Sequence, residues 1–148
     1  NQSINNVEAY DLICVEPLTK KTIFVQVKCS VNSSFPIGMN IGNASDLNYL
    51  QKRIVGPWVF VRLIIDDGGY KPEFYVLTKD EMIEITHASN DWYVHQYFRT
   101  TPVKSTNACA LTTHFLSGVD INQTNTHAMF HNPFKKKNMK EDWKKLMP

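Results

Sequence analysis

Residues 58 to 65 read WVFVRLII, a segment that is almost continuously apolar. A strand that faces water on one side alternates apolar and polar residues, whereas a run like this requires apolar cover on both faces. The segment is therefore predicted to be the central strand of a sheet that carries packed layers on both sides. At 148 residues the chain is long enough to build that core as a single domain spanning 1–148, without help from disulfides or metals.

The flanking segments predict the remaining elements. Residues 9–16 and 22–29 are rich in β-branched and aromatic residues and read as an antiparallel hairpin. Residues 30–45 have the composition of a loop, and the segment after them predicts a short helix capped by Ser45 or Asp46. Residues 66–72, DDGGYKP, predict a turn.

The second half of the chain adds a strand and two helices to this prediction. The strand EFYVL leads into Thr78 and Glu81, a capping-box pair that starts a helix. Residues 99–133 show no clear period and are predicted to be loops with at most a short element. A terminal helix is predicted from Asn138, with Glu141 in the reciprocal capping position. The fold class is thus α/β: a mixed, twisted sheet of four or five strands flanked by helices.

Two polar side chains interrupt the apolar strand of residues 24–30, FVQVKCS. Side chains alternate along a strand, so Gln26 and Lys28 share one face, where burial without a partner would be costly. In an antiparallel hairpin Asp11 lies opposite residue 26, 27 or 28. The two registers that pair it with Gln26 or with Lys28 both keep the apolar residues on a common side, and in both a carboxylate, an amide and an ammonium converge.

These groups predict a metal site. Mg²⁺ prefers oxygen ligands and retains several waters, so the Asp11 carboxylate, the Gln26 amide oxygen and the backbone carbonyl of Val27 would form a partial site that a substrate phosphate completes. Lys28 beside it would orient the attacking water and offset the charge that develops on the phosphorus oxygens. The expected reaction is hydrolysis of a phosphodiester.

The spacing of Asp11-Leu12-Ile13 and Gln26-Val27-Lys28 resembles the core motif of the PD-(D/E)XK nuclease superfamily, in its variant with Gln in place of the second acid. The segments WVFVRL and PEFYVLTKDEM are similar to small bacterial members of that superfamily. The resemblance implies a restriction-endonuclease-like fold and a nuclease that uses Mg²⁺ or Mn²⁺, with DNA as the expected substrate. It also implies catalytic roles for Asp11, Gln26 and Lys28, and metal binding by Asp11, Gln26 and Val27.

The chain departs from the superfamily pattern at two positions. Tyr10 stands where the motif has Pro, and Gln26 lowers the negative charge of the site, which should weaken metal binding. The chain begins with Asn rather than Met, and the helix that precedes the motif in the superfamily would lie before it. Further residues, or a further domain of a larger chain, are therefore expected upstream.

The positive charge is concentrated near the C-terminus. Residues 135–145 hold six lysines and two acids, a net charge of +4, whereas the whole chain carries +2. Beside a nuclease-like motif, such lysines are predicted to contact backbone phosphates without reading base sequence. The predicted nucleic-acid contacts are Lys135, Lys136, Lys137, Lys140 and Lys144. The alternative is that these lysines form an ordinary solvated face.

Other interpretations of the sequence remain open. The hairpin could face water, with Asp11 and Lys28 forming only a cross-strand ion pair. The domain could be a non-catalytic module that binds nucleic acid or a protein. Zinc ligation is a weaker hypothesis, resting on Cys109, His114, His127 and His131 without a zinc-binding spacing.

Composition also bears on location and assembly. Three cysteines without a C-x-x-C spacing predict a reducing compartment, hence a cytoplasmic location. No apolar run reaches the length of a membrane span, so no membrane partner is expected. Cleavage of both strands of a duplex by one site per chain would favour a homodimer.

Overall fold

A computed structural model describes residues 10–96, 101–135, 137 and 139–146. Six strands and four helices lie within this part of the chain, together with a π-helical turn after the longest helix and a 3₁₀ turn near the C-terminus. In chain order these are β1 (Leu12–Val15), β2 (Thr22–Ser30), β3 (Ser34–Asn40), α1 (Ile41–Ala44), α2 (Leu47–Arg53), β4 (Trp58–Asp66), β5 (Gly69–Leu77), α3 (Lys79–Asp91), the π turn (Trp92–Gln96), β6 (Ala108–Thr112), α4 (Thr113–Leu116) and the 3₁₀ turn (Trp143–Leu146). None of the helices in these ranges is long and apolar enough to cross a membrane.

The main sheet has four strands in the order β1-β2-β4-β5 and is mixed. β1 and β2 form the predicted antiparallel hairpin, β4 and β5 form a second one, and β2 runs parallel to β4. The connection between the two parallel strands contains β3, α1 and α2. A second sheet pairs β3 with β6 antiparallel. The predicted class, a mixed sheet flanked by helices, is confirmed at this level.

The core lies on both faces of the main sheet, as the apolar segment in β4 predicted. On one face Trp58 and Phe60 pack with the second sheet and the helices. On the other face Val25, Val59 and Val76 form a smaller cluster. The half of β4 nearest the following turn projects beyond these layers and is more exposed.

Capping and turn residues mark the ends of several helices and strands. Asp46 caps α2 by accepting hydrogen bonds from the backbone of Asn48 and Tyr49. Thr78 and Glu81 form the predicted capping box of α3. The β4–β5 turn is closed by the Asp66 side chain, which accepts a hydrogen bond of 2.9 Å from the Gly68 amide.

The prediction of a loop over residues 30–45 is wrong, because β3 and α1 lie there. Phe35, Ile37 and Met39 are buried in strict alternation with exposed neighbours. The period of a half-buried strand is therefore present, but Ser, Asn, Gly and Pro between these residues gave the segment a loop composition.

The predicted terminal helix is also wrong. Lys140 pairs with Tyr75 as a β-bridge, and the Glu141 amide donates to the Phe74 carbonyl at 3.1 Å, so this segment adds to the outer edge of β5. Glu141 has a φ of 56°, which a helix does not allow. The apolar residue Met139 is buried in the core beside β5.

Candidate active site

The start of the first hairpin brings Asp11 to β2. The strands are in the register that pairs Leu12 with Val25, which is the predicted register that places Asp11 beside Gln26. The Asp11 amide donates to the Val25 carbonyl at 2.9 Å, at a bend in the chain immediately before β1. The backbone thus holds the carboxylate against the neighbouring strand.

The Asp11 carboxylate accepts two hydrogen bonds through its Oδ2 atom. The Val27 amide donates at 2.7 Å, and Gln26 Nε2 donates as the second partner. A strand residue directs its N–H and C=O to the same side, so the Val27 carbonyl also faces the side of the strand on which Asp11 lies. Three of the predicted site residues therefore meet at one corner of the sheet.

Gln26 lies inside the protein, with only 6% of its surface exposed. Its backbone amide donates to the Pro57 carbonyl at 3.1 Å, and its strand partner is Trp58 at the start of β4. Gln26 therefore does not point to water, whereas Asp11 beside it is exposed. An amide at this position needs internal partners, and Asp11 supplies one of them.

Lys28 occupies the same face of β2, two residues further along. It is partly buried, and its ammonium lies 5.9 Å from the centroid of the Trp58 ring, within cation–π range. Among the described residues its partner is this ring rather than the Asp11 carboxylate. The simple cross-strand ion pair of the alternative interpretation is therefore not what positions Lys28.

A small cavity of about 40 Å³ lies next to these groups. Gln26 connects the two features, since its side chain borders the cavity and also bonds to Asp11. The lining residues are Gln26, Lys28, Ile37, Gly38, Met39, Arg53 and Trp58. The space can hold a water molecule or a single ligand oxygen, but not a nucleobase.

The Asp11 carboxylate at this corner is a ligand that suits a hard cation. Its Oδ2 atom faces the Gln26 Nε2 group and the Val27 amide, so in this arrangement the Gln26 amide oxygen is directed away from the carboxylate. Mg²⁺ is commonly held by one or two carboxylates and completed by water and substrate phosphate. Within the described part of the chain, no three His, Cys, Asp or Glu side chains lie together, and of the three groups at this corner only Asp11 is charged.

The residues of the zinc hypothesis have other surroundings. Cys109 is buried in the core, and desolvation raises the pKa of its thiol to about 11, so it is protonated near neutral pH. His127 Nδ1 lies 3.0 Å and 3.1 Å from the hydroxyls of Thr124 and Thr126. His131 lies 3.8 Å from the Asp120 carboxylate.

Of the predicted nucleic-acid contacts near the C-terminus, Lys140 lies away from this corner. Lys140 bridges to β5, at the opposite edge of the sheet from β1, and its Nζ is 2.6 Å from Glu73 Oε1. Lys135 Nζ is 2.5 Å from the carboxylate of Asp120. Lys137 lies over the Phe134 ring, Lys144 is exposed, and Lys136 falls outside the described residues.

These ion pairs change the titration of their partners. The hydrogen bond from Lys140 is the main cause that holds the pKa of Glu73 below its usual value. The hydrogen bond from Lys135 does the same for the pKa of Asp120. Two of the predicted phosphate contacts are thus already engaged by carboxylates, which reduces the charge that they offer to a nucleic acid.

Sequence reasoning missed the contribution of Arg53 and of β3 to the site. Arg53 ends α2, and its place beside Gln26 follows from the parallel pairing of Gln26 with Trp58, which no local pattern reveals. The alternation of apolar residues in β3 was the available signal for Ile37 and Met39.

No family model matches the chain, and neither a curated protein nor a solved structure was found to match it. The grounds for a function are therefore the residues of the site themselves.

Proposed function

We propose that this protein is a metal-dependent nuclease of the PD-(D/E)XK type, with a restriction-endonuclease-like fold, that hydrolyses phosphodiester bonds in DNA. The observation that carries the proposal is the convergence of Asp11, Gln26 and Val27 at one corner of an otherwise apolar hairpin, two residues from Lys28. A hairpin built only for packing has no need of a buried amide and a carboxylate there.

The protein groups divide the work by their chemistry. Asp11 provides the anionic oxygen, and the Gln26 amide and the Val27 carbonyl provide neutral oxygens. Bound Mg²⁺ or Mn²⁺ would supply Lewis-acid stabilisation of the phosphoryl oxygens and a more acidic water. The hydrogen bond from Gln26 Nε2 to Asp11 holds the N–H end of the amide toward the carboxylate, so the amide must turn over for its oxygen to join Asp11 on one cation.

Lys28 acts on the attacking water and on the developing charge. Its ammonium lies over the Trp58 ring, and this contact restricts where the ammonium can go. A cation held in a partly buried position offsets charge on the phosphorus oxygens more strongly than one in water. Lys28 is therefore the residue whose charge should matter for the rate.

The test is cleavage of supercoiled plasmid, linear duplex, single-stranded DNA and RNA with Mg²⁺ or Mn²⁺. Lys28→Met keeps the apolar stem and removes the charge, and we expect it to lower the cleavage rate about 100-fold or more. Lys21→Met is the matched control, because Lys21 is exposed and roughly 23 Å along the strand from Lys28. Equal loss in both variants would contradict the role given to Lys28.

A non-catalytic module of the same fold is the second candidate. It is favoured by the hydrogen bonds of Asp11 Oδ2, which could hold the hairpin together without any reaction. Thermal melting with and without Mg²⁺ distinguishes the nuclease from the non-catalytic module, because an ion that binds only the folded state raises the melting temperature. Absence of both cleavage and a metal-dependent shift would favour the non-catalytic module.

A further inference from the structure

Two basic residues are among those that line the cavity beside Gln26. Lys28 reaches it from β2, and Arg53 reaches it from the end of α2. Among the described residues that line it, none carries a negative charge. A pair of cations around a space of about 40 Å³ favours an anionic group, and the space suits one oxygen of a phosphate.

The fold fixes the position of Arg53. α2 ends there, and the next residue, Ile54, is fully buried. Trp58 then begins β4 and pairs with Gln26, so the start of β4 lies directly beside the site strand. The neighbouring Lys52 is exposed and does not line the cavity, which distinguishes the two basic residues of the last helical turn.

A bulge in β3 forms another part of the cavity lining. Pro36 pairs with Ala110 and Asn40 with Ala108, so the residues between them on β3 outnumber the single residue facing them. Gly38 lies in this bulge with a φ of 73°, and a Cβ placed on it would have no atom within 4 Å. At Gly38 the bulge has no side chain and leaves room for the backbone of a ligand to approach, while Ile37 and Met39 on either side of it also line the cavity.

We propose that Arg53, together with Lys28 and the Gly38 bulge, forms a subsite that binds a backbone phosphate of the nucleic acid next to the candidate active site. The inference rests on the proposed function for the identity of the ligand. A guanidinium is suited to this role, because its planar fork can donate two hydrogen bonds to one phosphate. The subsite would place the substrate backbone at the β1–β2 corner, away from Lys140 at the β5 edge.

The test measures binding without catalysis. A fluorescently labelled duplex is titrated with protein in EDTA over a series of salt concentrations, and anisotropy gives the dissociation constant. For Arg53→Gln we expect roughly tenfold weaker binding and a salt dependence reduced in slope by about 0.9, which corresponds to one lost phosphate contact. Lys52→Gln is the matched control and should change both quantities much less. Equal behaviour of Arg53→Gln and Lys52→Gln would overturn the proposal.

A second pair of variants tests the subsite even if Arg53→Gln does not fold. Gly38→Asn and Gly38→Asp have nearly the same shape and both residues tolerate a positive φ, so they differ mainly in charge. The subsite predicts weaker binding for Gly38→Asp than for Gly38→Asn, because the carboxylate would repel a phosphate. Equal affinities of these two variants would also count against it.

The cleavage assay separates failure of this inference from failure of the proposed function. If Arg53→Gln weakens binding while the wild type never cuts DNA with either metal, the subsite holds and the nuclease proposal falls. If the wild type cuts and Arg53→Gln binds like the wild type, the subsite alone is wrong. A wild type that binds no nucleic acid in the salt series overturns the subsite.

Discussion

Replacing Asp11 by Ala should weaken the first hairpin even when no metal is present. The change removes the acceptor of two hydrogen bonds and leaves the buried Gln26 amide without that partner. A hydrogen bond to a charged group contributes about 1.5–3 kcal/mol. Asp11 is exposed, so water can replace part of this contribution at the Val27 amide. We therefore expect a loss of about 2 kcal/mol, close to the contribution of a single such bond.

The assay is thermal unfolding in EDTA, followed by circular dichroism. For a domain of this size, a loss of about 2 kcal/mol lowers the melting temperature by about 4–8 °C. Asp11→Asn keeps an acceptor oxygen but not its charge, and should lose about half as much, since charge-assisted bonds are roughly twice as strong as neutral ones. Asp67→Ala, an exposed carboxylate in the β4–β5 turn, serves as the control.

The order of the three variants is the critical result. If Asp11→Ala melts within about 1 °C of the Asp67→Ala control, the two hydrogen bonds do not hold the hairpin and the reasoning is refuted. If Asp11→Asn is nearly as stable as the wild type but no longer cleaves DNA, the carboxylate charge acts in function and not only in folding.

Two further predictions concern backbone strain and pH. Gly118→Ala should destabilise the fold by more than Gly38→Ala. Both glycines have positive φ, but only at Gly118 would a Cβ lie 2.8 Å from a backbone carbonyl oxygen. Urea unfolding measures the difference, and similar midpoints for the two variants would contradict the prediction. Lys140→Gln should lower the melting temperature at neutral pH, whereas Lys144→Gln should not. The pKa of Glu73 is lowered in the folded state, so its stabilisation is present above the unfolded pKa and is lost as pH falls through the folded one. The difference in melting temperature between Lys140→Gln and the wild type should therefore disappear at acidic pH. A difference that is independent of pH would exclude the Glu73 pair as its cause.

The candidate site was predictable where its residues lie on one hairpin. The apolar pattern placed Gln26 and Lys28 on one face of β2, and hairpin geometry limited Asp11 to a few registers, one of which the structure contains. Capping residues such as Thr78 could be recognised for the same reason, because their partners are a few residues away.

The remainder of the site depended on contacts between distant segments. Arg53 reaches the cavity only because β2 and β4 are parallel neighbours, and parallel pairing leaves no turn signal in the sequence. The C-terminal lysines show a second limit of prediction from local sequence. Its charge was visible in the sequence, but the acids that pair with Lys135 and Lys140 lie 15 and 67 residues away. Local charge counts therefore overestimated what this segment can offer to a nucleic acid.

The exposed first strand makes the assembly of the site a local equilibrium. All four residues of β1 are exposed, so this edge strand contributes little to the buried core. Detaching it would separate Asp11 from Gln26 while the three other strands of the main sheet stay packed. Less free energy is then needed to open the site than to unfold the domain. A ligand that joins Asp11 to Gln26 would slow amide hydrogen exchange in β1 more than in β4, so that binding and closure of the edge strand become one event.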